Sequence, residues 1–179
     1  MQSYDARLMS GRLPVLIDPI RLADEGVRLQ GELAGGDMAR LRVLTAPDSR
    51  PAVVTVDLQF ERSVPGVRRM HGRIHTTVEM VCQRCLNRMS MQIVALPKLT
   101  LLQPGETAHA EDEDALPLEA TVTLSELVED ELLLAMPMIP VHAESDCTAV
   151  AKPGAAPLPI AGHKENPFAV LHGLKNKHK

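Results

Sequence analysis

Two stretches of period-two alternation, RIHTTVEMV at 73–81 and MSMQIVAL at 89–96, stand on either side of the sequence CQRC. Alternation places Ile74, Val78 and Met80 on one side of the first stretch and Met89, Met91 and Ile93 on one side of the second, the pattern of half-buried strands. Two such strands so close in the chain predict a hairpin. Cys82 and Cys85 then fall at its tip, where a cysteine pair can face one point in space.

A hairpin needs more sheet to bury its apolar side. PAVVTVDLQF at 51–60 supplies it, with Val54, Val56, Leu58 and Phe60 on one face and Thr55, Asp57 and Gln59 on the other. Near the N-terminus, LPVLIDPIRLADEG predicts a short strand and a brief helix, capped by Asp18, opened by Pro19 and stopped near Gly26. VRLQGEL at 27–33 reads as a further short strand, and GGD at 35–37 as a loop.

The strongest helix signal begins at Thr123, whose spacing to Glu126 matches a capping box. At 100° per residue Leu124, Leu127, Val128, Leu132, Leu134 and Ala135 share one arc, whereas Ser125, Glu126, Glu129 and Asp130 lie outside it. Glu131 falls near the middle of that arc, where a carboxylate is costly unless paired. Either its stem lets the head reach water, or it forms a structural ion pair with an arginine. Pro137 ends the helix and Pro140 keeps the next segment extended.

Residues 103–119, rich in acid with few apolar anchors, predict a flexible loop. The stretch AKPGAAPLPIAGH predicts a linker, and Asn166 with Pro167 predicts the start of a last short helix. The expected organisation is a single α+β domain over 1–150, a linker over 151–165, and a short helix with a basic tail over 166–179. Its centre is a curved antiparallel β-sheet packed by one main amphipathic helix, with short terminal helices and a Cys-x-x-Cys knuckle.

A chain of 179 residues suits one such domain. It holds two Phe, one Tyr and no Trp, so a platform that stacks nucleic-acid bases on aromatic rings is disfavoured. The net charge of −4 argues against wholesale coating of nucleic acid. Charge is nevertheless segregated: six arginines lie between 62 and 88 against the single acid Glu79, and ten acids lie between 106 and 131 with no Lys or Arg. No apolar run is long enough to span a membrane and no signal-peptide pattern opens the chain, so a cytoplasmic protein is expected.

Three cysteines in a reducing compartment point to free thiols or metal ligands rather than a disulfide frame. The pair Cys82 and Cys85 is compatible with a metal knuckle, with a redox dithiol, and with two buried or idle side chains. Zinc is the preferred reading, because Cys147 and His142 follow the main helix and complete a Cys3His set of four ligands. Such a set leaves no open position for water, so the metal would be architectural. A redox pair gains from Arg84 but loses because Cys82 ends a strand instead of starting a helix. No P-loop, dinucleotide fingerprint, His-Glu-x-x-His helix or Gly-x-Ser-x-Gly elbow is present, and no enzymatic activity is expected.

Taken in order, IDPIRLAD, CQRCL, LSELVEDELLLAMPMIPVH followed by a cysteine, and NPFAVLHGLK resemble the YceD family of bacterial proteins. That resemblance implies a cytoplasmic, non-enzymatic ribosome biogenesis factor that supports synthesis, processing or accumulation of 23S rRNA. Its partner would be large-subunit rRNA or a pre-ribosomal particle, with no membrane contact. Arg68, Arg69, Arg84 and Arg88 are the candidate phosphate contacts, unless they pair with the chain's own acids. The alternative is an acidic interaction module or chaperone that holds a basic ribosomal protein without touching RNA.

Overall fold

The computed structural model describes residues 7–63, 66–107, 114–118 and 121–148. The chain divides after Cys147 into two units, the first of which holds every element below. These are β1 (Arg7–Arg12), β2 (Leu16–Ile17), α1 (Pro19–Glu25), β3 (Val27–Ala34), α2 (Ala39–Leu44), β4 (Val53–Arg62), β5 (Arg68–Val81), β6 (Arg88–Ala95), β7 (Lys98–Leu102), β8 (Ala115–Pro117), β9 (Val122–Thr123) and α3 (Leu124–Ala135). The expected linker at 151–165 and helix at 166–179 lie outside the described residues, as do the acids at 111–113.

The architecture is mixed α+β, with one seven-stranded sheet in the order β1-β3-β4-β5-β7-β8 and β6 also on β5. Its centre is antiparallel, as alternation led us to expect, but β1 runs parallel to β3 and β7 parallel to β8. A wholly antiparallel sheet is therefore corrected to a mixed one. Both parallel pairs sit at the edges, and a separate pair, β2 with β9, lies off the sheet.

One long strand organises the rest. β5 pairs along its C-terminal part with β6 and along its N-terminal part with β7, in one continuous register: Ile74 faces Ala95 and His71 faces Lys98. Leu96 and Pro97 thus interrupt a single partner strand opposite Arg73 and Gly72, where proline has no N–H to give the ladder. On its other edge Gly72 faces Leu58 of β4. A side chain at position 72 would run into the Asp57 carbonyl oxygen, so glycine permits the close approach of the two strands.

The core follows the alternation. Val54, Val56, Leu58, Phe60, Met70, Ile74, Val78, Met80, Ile93 and Ala95 are buried together on one side of the sheet. Each buried aliphatic side chain contributes about 1.5–3 kcal/mol against the entropy of folding. α1 is built as expected, with Asp18 accepting a 3.0 Å bond from the Arg21 N–H and Gly26 closing the helix at φ 67°. In the stretch expected to be a loop, Ala115–Pro117 instead forms β8, and Leu118 is buried with its N–H bonded to the Leu102 carbonyl. Alternating Leu116 and Leu118 supply the apolar anchors that make this strand worthwhile.

α3 occupies the expected span, with Leu124, Leu127, Val128 and Leu132 in the core. Its buried arc is rotated by about 40° from the one read off the sequence: Glu129 is 4% exposed, whereas Leu134 is 81% exposed. The reason is α2, which packs beside this face. Glu129 accepts a 2.9 Å bond from the Leu41 N–H and 2.9–3.0 Å contacts from the Arg40 guanidinium. Met38 offers no side-chain cap to α2, so Glu129 satisfies one of its orphan amides from another helix.

The ion pair expected at Glu131 is corrected accordingly. Among the described residues Glu131 forms none, and burial together with Asp114 and Asp130 raises its pKa above the ordinary glutamate value. The capping box is also absent: Thr123 stands at the N-cap without a side-chain cap bond, and is also the last residue of β9, opposite Leu16. No helix among the described residues is long and apolar enough to cross a membrane.

Candidate metal centre

The connection from β5 to β6 is Cys82–Asn87, closed at its base by the bond from the Cys82 N–H to the Asn87 carbonyl. Within it, the Leu86 N–H donates to the Cys82 carbonyl and Leu86 takes a positive φ of 60°. That left-handed residue turns the chain back immediately after the second cysteine. The Arg84 N–H points at the Cys82 sulphur at 3.4 Å.

The segment after α3 docks on this tip. The Gln83 N–H donates to the Pro140 carbonyl at 2.8 Å, and the His142 N–H approaches the Cys82 sulphur at 3.5 Å. A 3-10 turn at Glu144–Asp146 then shortens the path to Cys147, since such a turn rises about 2 Å per residue against about 3.3 Å for a strand. Cys82 and Cys147 are buried, and Cys85 and His142 half-buried.

The structure brings together all four residues picked out from the sequence as ligands. One donor atom from each of Cys82, Cys85, His142 and Cys147 lies within 4.8 Å of the others, and the Cys85 sulphur is 3.3 Å from His142 Nδ1. Bonds of about 2.3 Å to sulphur and about 2.0 Å to nitrogen in a tetrahedron place donors roughly 3.5–3.8 Å apart, so three thiols and an imidazole within 4.8 Å of one another could close on one metal ion with small shifts. Burial alone would push the Cys82 thiol up, but the N–H groups of Cys85, His142 and Arg84 and the His142 ring outweigh it and hold the thiol at about 5. The hydrogen bond to Cys82 raises the His142 imidazole in turn. A thiolate at neutral pH is the form a metal takes.

The four arginines named from the sequence do not form one patch. Arg68 and Val81 bound β5 at its two ends, about 40 Å apart at strand spacing, so Arg68 and Arg69 are remote from the knuckle. Arg68 is 13% exposed and held by Asp24 at 2.9 Å and Glu106 at 3.7 Å. Its position in the strand explains this, because it shares the core side with Met70 and Ile74 and there meets α1. Arg88 lies 3.5 Å from Glu79 and donates to the Pro47 carbonyl. Arg69 and Arg84 are exposed and form no ion pair with a described residue. Arg68 and Arg88 are thus engaged by the chain's own groups, the alternative left open by the sequence.

Comparison with known proteins gives a consistent set of matches. The family model described as "Large ribosomal RNA subunit accumulation protein YceD" matches residues 70–175. A Haemophilus influenzae protein described by the same words is 30% identical over 173 residues, which span 93% of this chain and 98% of the relative. No solved structure matches the chain.

Proposed function

This chain belongs to the YceD family, and from that membership we propose that it is a cytoplasmic, non-enzymatic factor supporting the accumulation of large-subunit rRNA by contact with the rRNA or a precursor particle. The observation that carries the structural half of this proposal is the convergence of four soft donors within 4.8 Å at the knuckle. We assign them to one zinc ion. Four strong ligands leave no position for a reacting water, so the ion braces the fold instead of performing chemistry. Structural zinc contributes apparent binding energies of about 10–16 kcal/mol to such domains.

With a net charge of −4 the chain would touch RNA locally. Arg69 and Arg84, exposed and without an acidic partner among the described residues, are its free guanidinium groups among the four named earlier, and guanidinium suits phosphate. The test is co-sedimentation with large-subunit precursor particles together with binding to in vitro transcribed 23S rRNA. Salt-sensitive binding supports the proposal, whereas no binding at low salt and absence from particles would end it. A protein-only module would tolerate reversing the charges of Arg69 and Arg84, which an RNA-contacting factor would not.

A further inference from the structure

The helices leave one face of the sheet uncovered. Core residues of β5 have even numbers, from Met70 to Met80, so Arg69, His71, Arg73, His75, Thr77 and Glu79 project from the opposite side, where each is exposed or half-buried. On that face Lys98 of β7 stands beside His71. Arg69 and Arg73 are four residues apart, about 13 Å along the strand, and Lys98 sits one strand over, about 5 Å away, level with the midpoint between them. Three exposed cations therefore share one open patch.

Pairing within the chain does not account for them. Two of the three acids on this face of β4 and β5 already have a cationic partner: Asp57 accepts two bonds from the Arg28 guanidinium at 2.6–2.7 Å and Glu79 lies 3.5 Å from Arg88, while Glu61, opposite Arg69 in the ladder, lies 3.7 Å from His71 Nδ1 and forms no ion pair with Arg69. Arg73 faces Asp57 across the β4–β5 ladder, yet that carboxylate is bonded to Arg28 instead. Among the described residues, Arg69, Arg73 and Lys98 form no ion pair. Strands also hold these side chains in fixed register, unlike a flexible basic tail.

We infer that this open sheet face, at Arg69, Arg73 and Lys98, is the surface that lies on the phosphate backbone of large-subunit rRNA. The inference rests on the RNA-contact reading above and locates its surface. The face carries no Phe, Tyr or Trp on β4 or β5, so bases have no aromatic platform. Recognition here is of backbone charge and shape, with little dependence on sequence.

The experiment measures binding of the full chain to in vitro transcribed 23S rRNA across a KCl titration. It compares wild type, the variant Arg69→Glu/Arg73→Glu/Lys98→Glu, and the charge-matched control Arg21→Glu/Arg42→Glu/Arg62→Glu, whose exposed sites lie on α1, on α2 and at the end of β4 beside α1, off this face. The face variant should lose at least about tenfold in affinity at low salt and lower the slope of log K against log salt by about 2, while the control stays close to wild type. Equal loss in both variants, or wild-type binding by the face variant, overturns this surface but leaves RNA contact standing. Absence of binding by wild type overturns the RNA reading itself, and this surface with it. Melting curves check each fold, and a glutamine series at the same three positions gives a milder set in which a smaller loss in the same order is expected.

Discussion

His142 Nδ1 lies 3.3 Å from the Cys85 sulphur, although 57 positions separate the two residues in the chain. That proximity ties the tip of the β5–β6 hairpin to the segment emerging from α3. It acts beside the bond from the Gln83 N–H to the Pro140 carbonyl, which joins the same two segments. A metal at this point would close a loop of more than half a hundred residues, which is where a cross-link constrains an unfolded chain most.

Glu129 offers a test of the helix pair that sequence periodicity places wrongly. Replacing it with alanine leaves the buried Leu41 N–H without a partner and removes the anchor of Arg40. Glu129→Ala should therefore cost about 2 kcal/mol in urea unfolding. An unchanged midpoint and slope would mean that water replaces the carboxylate at no cost.

Glu131 should behave oppositely. Burial first, then Asp114 and Asp130, raise its pKa, so the stability owed to its protonated form is complete below the unfolded value of about 4.3 and is lost as pH rises through the higher folded value. Glu131→Gln and wild type should melt together in mild acid, and the variant should melt a few degrees higher at neutral pH. A variant that melts lower at neutral pH would point to a favourable partner for the carboxylate.

Much of this was legible because the relevant residue types are few or periodic. Val54, Val56, Leu58 and Phe60 announce their strand by parity, and three cysteines leave little choice for a ligand set that includes Cys82 and Cys85. α2 escaped because it spans only Ala39–Leu44 and its amide cap comes from Glu129, a residue distant in sequence. β8 escaped because three residues beside an acidic run carry almost no periodicity. The enclosure of Arg68 could have been read from parity, since it falls in step with Met70 and Ile74; charge counting alone hid that, and hid Arg73 and Lys98 on the opposite face.

Acid should release any bound metal at a defined point. Because the Cys82 pKa is depressed to about 5, the contribution of its thiolate is present above the unfolded value of about 8.5 and is lost as pH falls through about 5. Metal followed with a chromophoric chelator should stay bound at neutral pH and leave as the solution is brought towards pH 5. Complete release already at neutral pH would contradict a preformed thiolate.

Elemental analysis of the freshly purified chain, beside Cys147→Ser, addresses the knuckle most directly. One zinc per chain in the wild type is expected, with loss of the ion and a large fall in melting temperature, or failure to fold, in the variant. A wild-type chain that folds normally with no zinc, or a Cys147→Ser chain that keeps its zinc and its stability, would contradict a metal held by Cys82, Cys85, His142 and Cys147.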